Sequence, residues 1–139
     1  MQTRTYAGWC LVAVLVAAQT VTIAAENPAA ASQSAVAYLT EPTLIGDTFV
    51  VGPVLITHDE ARMARGRPCT TIQLFDPATG RATEELTSFH CIPRFGPRVG
   101  KLTITTQPTT LGYGCVLTAY QFAGDREIHG VPRRIVDTH

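Results

Sequence analysis

The chain has 139 residues, 45% of them hydrophobic and 16% charged, and its 11 basic and 11 acidic side chains cancel when the four histidines are neutral. That composition suits a globular protein with one core of modest size. It excludes the phosphate-neutralising surface that non-specific nucleic-acid binding requires, and equally a polybasic membrane patch.

The first 25 residues read as an export signal. Arg4 supplies a short positive region, residues 9–18 (WCLVAVLVAA) an apolar run, and Ala24-Ala25 small residues for cleavage. A membrane-spanning helix needs about 20 apolar residues, and Gln19, Thr20 and Thr22 end the run too soon. Cys10 lies at the start of the apolar stretch rather than after it, which argues against a lipoprotein. A signal peptide over 1–25 is therefore expected, with a periplasmic or extracellular product and no stable membrane span after cleavage. Removing it from the 139-residue chain leaves 114 residues and, without Arg4, a net charge of −1.

Residues 26–35 (ENPAAASQSA) are small and polar, which predicts a flexible leader. A single β-domain is expected over 36–132, followed by a tail over 133–139. Strands are predicted at 37–40, 48–57, 70–75, 83–92, 101–106 and 115–122, each rich in Thr, Val, Ile, Phe or Tyr. Asp76-Pro77-Ala78-Thr79-Gly80 is a hairpin connector, and Leu111-Gly112-Tyr113-Gly114 a second tight connection. Between the second and third strands, Thr57-His58-Asp59-Glu60 fits a capping box with Thr57 as N-cap. Gly66 and Pro68 then mark the stop. The helix, about two turns long over 57–65, would bury Met63 and Ala64. These elements predict an all-β fold, a small antiparallel sandwich or a partly open barrel with one short helix.

If Cys10 leaves with the signal, three cysteines remain: Cys69, Cys91 and Cys115. An odd count in an oxidising compartment implies one pair and a leftover thiol, an intermolecular bridge, or metal ligation. Cys69 and Cys91 bracket the predicted hairpin and are the natural disulfide. Its loop of about 23 residues would contribute on the order of 3 kcal/mol. A regular register with Phe75 opposite Arg81 places Cys69 opposite Thr87, leaving Cys91 about 13 Å further along the strand. The pairing therefore requires a bulge or a bend, and Cys115 pairing with either cysteine across a neighbouring strand is the alternative.

His58, Met63, Cys69, His90, Cys91 and His129 together offer imidazole, thiolate and thioether donors, a set suited to copper or zinc. Their spacing matches no compact metal motif. His90 and Cys91, adjacent on a strand, would point to opposite faces unless the strand ends between them. The same alternation separates them as a catalytic dyad, and no nucleophile elbow surrounds a serine. No catalytic residue is therefore assigned. Arg62, Arg65 and Arg67, with Asp125, Arg126 and His129 in the Gly-rich segment 124–132, form the candidate interaction surface for a protein or small ligand.

The run Gly46-Asp47-Thr48-Phe49-Val50-Val51-Gly52-Pro53, the hairpin and Phe89-His90-Cys91-Ile92-Pro93 together resemble small exported bacterial β-domain proteins of uncharacterised function. The resemblance covers residues 40–132 and implies fold class and export, with no site residue to carry over. The sequence thus predicts an exported, non-enzymatic binding or structural module stabilised by a disulfide and needing no cofactor. A periplasmic copper- or zinc-binding protein is the alternative.

Overall fold

The computed structural model describes residues 32–133. The expected signal peptide, residues 26–31 of the leader and all but the first residue of the tail lie outside them. Among the described residues there are eight strands: β1 (Ser32–Ile45), β2 (Thr48–Asp59), β3 (Thr70–Asp76), β4 (Arg81–Phe89), β5 (Ile92–Phe95), β6 (Thr103–Pro108), β7 (Cys115–Gln121) and β8 (Glu127–Gly130). One helix, α1 (Glu60–Ala64), joins β2 to β3. No helix among the described residues is long and apolar enough to cross a membrane.

The strands form one curled sheet in the order β4-β3-β2-β1-β7-β8-β5, with β6 paired to the other edge of β7. The fold is all-β, as predicted, and takes the partly open barrel form rather than the sandwich. It is also mixed rather than wholly antiparallel. Thr43 and Leu44 of β1 pair in parallel with Cys115 and Val116 of β7, while every other ladder is antiparallel.

The curl follows from chain connectivity. β4 and β5 lie at opposite ends of the spatial order, yet only residues 90 and 91 separate them in sequence. Three peptide steps span at most about 11 Å, so the two ends of the sheet must approach each other. The enclosed core is built from alternate residues of the long strands, including Val54 and Ile56 of β2, Ile72 of β3 and Leu117 of β7. Near Thr118, β7 carries one extra residue relative to β6, and beyond it both Tyr120 and Phe122 are buried.

Several local expectations hold. In the β3–β4 connector Gly80 has φ 68°, and Asp76 accepts hydrogen bonds from the Ala78 amide and the Thr79 hydroxyl. Gly114, with φ 65° in the second connection, leaves no room for a Cβ, which would fall 2.6 Å from the Pro42 carbonyl oxygen. Other expectations are corrected. β1 begins at Ser32, inside the expected leader, and β5 and β8 had not been predicted as separate strands.

The helix starts later than predicted, because pairing with β3 carries β2 through Thr57 and His58. Asp59 is the N-cap, its carboxylate accepting from the amides of Ala61 and Arg62. At the other end Arg67 donates to the Arg62 carbonyl and Gly66 to that of Met63, a Schellman closure around Gly66. Met63 and Ala64 are exposed and no residue of α1 is buried, so the expected buried side of this helix does not exist.

Candidate metal centre

His58, Cys91 and His129 converge. One donor atom from each lies within 4.8 Å of those of the other two. Cys69 adjoins them, with its Sγ 3.3 Å from Cys91 Sγ. The cluster sits where the sheet curls back on itself, and each member reaches it for a local reason.

His58 lies on β2 opposite Thr70 of β3 and follows the inward alternation of Val54 and Ile56. Cys69 immediately precedes β3, its backbone carbonyl accepting a hydrogen bond from the Asp59 amide. The helix and its turn thus return the chain so that Cys69 stands beside the end of β2. His129 lies on β8 directly opposite Tyr120 of β7, and the two rings stack with centroids 4.8 Å apart and 13° between planes. Cross-strand partners share a face, so the inward turn of Tyr120 brings His129 inside with it. Phe122 meets the imidazole edge-on, and the His58 ring lies 4.3 Å away by centroid.

Cys91 occupies the two-residue seam between β4 and β5. Two register shifts in the β3–β4 ladder bring it to Cys69. Pairing starts at Asp76 with Arg81 and ends with Thr70 opposite Phe89, so β4 carries two extra residues on the way. These bulges supply the bend that a regular register lacks. Cys91 then donates its backbone amide to Cys69 Sγ at 3.3 Å, and its own Sγ lies 3.5 Å from His129 Nδ1. The sulfur separation exceeds a disulfide bond of about 2.05 Å, so the pair stands here as two thiols in contact.

The surroundings are dry. His58 is 3% exposed, His129 1% and Cys69 1%, while Cys91 is half-buried. Burial lowers the His129 pKa to about 4, with the neighbouring His58 ring as the next cause and Asp125 opposing. Its imidazole is therefore neutral near pH 7 and holds a lone pair ready to bind. Burial, then the adjacent Cys69 thiol, pushes the Cys91 thiol up to about 12. The Tyr120 phenol is raised as well, chiefly by burial, and forms a short hydrogen bond with the Thr70 hydroxyl. Glu127 stands 3.9 Å from His129 Nδ1.

The Nε2 atoms of both His58 and His129 are buried without a hydrogen-bond partner. Buried polar atoms are nearly always paired, so two orphaned imidazole nitrogens in one cluster call for an occupant. The donor set fits a metal. Ligand atoms of a tetrahedral zinc lie roughly 3.3–3.8 Å apart for bonds of about 2.0–2.3 Å. The Cys91–His129 separation, taken at Nδ1, falls in that range, while the 3.3 Å between the two sulfurs is shorter than the roughly 3.8 Å of two zinc-bound sulfurs, which would have to part slightly.

The remaining candidates do not converge. Met63 is 45% exposed on α1, and His90 is exposed; β4 ends at Phe89, so the strand stops before both His90 and Cys91 rather than between them. Cys115, the third thiol, is buried at the far end of β7, where it contacts the Thr43 hydroxyl at 3.3 Å.

The expected interaction surface loses His129 to the interior. His129 is a core residue, and Asp125 accepts from the Gln33 side chain and, through its carbonyl, from Gln121. Arg62 donates to the Thr71 hydroxyl, Arg65 to the Ala61 carbonyl and Arg126 to the Gly96 carbonyl, while Arg67 is exposed. Sequence reasoning placed 124–132 in a loop because Gly124 and Gly130 bracket it. The alternation of Ile128, His129 and Gly130 was too short to reveal β8.

Comparison with protein-family models, curated proteins and solved structures finds no match for this chain.

Proposed function

We propose that this protein is a non-enzymatic metal-binding β-domain that holds zinc(II) or copper(I) on His58, Cys91 and His129, with Cys69 as the fourth donor. The convergence of one donor atom each from His58, Cys91 and His129 within 4.8 Å, with Cys69 Sγ 3.3 Å from Cys91 Sγ, is the observation that carries this reading. Thiolate and imidazole together favour these ions over hard cations such as magnesium or calcium. The neutral His129 ring binds without first losing a proton. The two thiols must lose theirs, so metal uptake releases protons.

Titration of the reduced full chain with cobalt(II), followed by displacement with zinc(II), tests the assignment. One equivalent should bind, with thiolate-to-cobalt charge-transfer absorption, and His129→Phe should abolish it. Failure of the reduced protein to bind cobalt(II), zinc(II) or copper(I) would refute the reading. Export belongs to the same proposal and rests on residues 1–25. N-terminal sequencing of the protein recovered outside the cytosol should begin near Glu26.

The 3.3 Å approach of Cys69 and Cys91 favours a second reading, the disulfide-stabilised module expected from sequence. Intact mass after differential alkylation separates the two. The disulfide module shows one alkylated cysteine in the absence of reductant, and the metal protein, recovered with its ion, shows three once that ion is chelated anaerobically.

A further inference from the structure

We propose that the Cys69–Cys91 pair is a redox gate on the metal centre, so that disulfide formation expels the ion and reduction restores the site. This rests on the metal reading above and adds its regulation. Both thiols belong to the donor set, and a sulfur committed to a disulfide has no thiolate charge to give a metal. Oxidation would leave only His58 and His129.

The geometry supports closure with little movement. The sulfurs need to approach by about 1.2 Å to reach bonding distance. Cys91 lies in the seam outside both flanking strands, so no ladder holds its backbone in place. Cys69 is anchored by the Asp59–Cys69 backbone bond and is almost wholly buried. Half-buried Cys91 is therefore the sulfur that an external oxidant reaches, and Cys69 resolves the intermediate.

The oxidant is a disulfide, R–S–S–R, of a small thiol or of a thiol oxidoreductase. Cys91 sulfur attacks one sulfur of R–S–S–R, forming a mixed disulfide and releasing the first thiolate. Cys69 sulfur then attacks Cys91 sulfur and releases the second. Two electrons pass from the cysteine pair to the oxidant. In the loaded protein both cysteines begin as thiolates, so two RS⁻ and the metal ion leave with the ion's charge unchanged. In the metal-free protein the two thiol protons leave with the RS groups as two RSH.

Linkage requires the converse: a bound ion must make the pair harder to oxidise.

The test uses the reduced full chain, loaded anaerobically with one equivalent of zinc(II) and then treated with excess glutathione disulfide. A chromophoric chelator follows zinc, and peptide mapping after differential alkylation follows the cysteines. One zinc should appear per Cys69–Cys91 disulfide formed, and thiol reductant should reverse both. Cys115→Ser, outside the site, should give the same ratio. A protein that forms this disulfide and keeps its zinc overturns the gate, as does one in which the pair stays reduced. Failure at the loading step, before oxidant is added, instead overturns the metal reading.

Discussion

His129 is the side chain on which the proposed metal site and the stability of the fold meet. It is 1% exposed, stacked on Tyr120, and carries an Nε2 atom with no partner. Replacing such a group with an apolar one of similar shape is often neutral or stabilising. His129→Phe should therefore leave the metal-free protein at least as stable in urea unfolding, while abolishing the metal-dependent shift. The pH dependence follows from the depressed pKa. The unfolded chain takes up this proton near pH 6.5 and the folded chain only near 4, so the neutral ring's stabilising contribution is complete above pH 6.5. It falls as pH drops from 6.5 to 4 and changes little below that, a loss of about 3 kcal/mol. Unfolding curves of the metal-free protein should show this slope, and His129→Phe should flatten it. Tyr120→Phe tests the neighbouring hydrogen bond. It strands the buried Thr70 hydroxyl and should lower stability by about 1–3 kcal/mol.

Among the elements, the irregular parts of the β3–β4 hairpin matter most to the site. A perfect ladder would hold Cys69 and Cys91 apart, and the two extra residues of β4 bring them together. Leu86, the residue skipped between the Glu85 and Thr87 pairings, is one of the two. The helix is a spacer by contrast. Asp59→Ala removes its cap and should reduce stability by about 1 kcal/mol.

The hairpin also marks the limit of what sequence could show. Turn residues such as Asp76, Gly80 and Gly66 reveal themselves, because glycine at positive φ and a short carboxylate near free amides are local requirements. A bulge has no such signature, and neither does β8, whose four residues are fixed by β5 and β7 rather than by their own pattern. Thr57 misled for a related reason. Its capping-box spacing is genuine, but the ladder with β3 holds that stretch in extended form.

At the scale of the whole molecule the candidate ligands come from both arms of the sheet, His58 and Cys69 from the β2–β3 side, His129 from β8, and Cys91 from the seam between them. All six donor residues named from sequence were plausible by chemistry alone. Which of them met was decided by the curl, through contacts distant in sequence. A bound ion would hold the two arms together and should stabilise the fold. Occupancy at 100 times Kd corresponds to about 2.7 kcal/mol, or a Tm increase on the order of 10 °C for a domain of this size. Calorimetry with and without chelator checks it.

The two-residue seam has a further consequence, in the order of assembly. β8 is the last strand described, and His129 cannot face Cys91 until β8 has docked on β7 and the sheet has curled. A growing or half-folded chain presents His58, Cys69 and Cys91 in sequence but no complete cage. On the proposed reading, capture of an ion by all four donors therefore waits until β8 has docked.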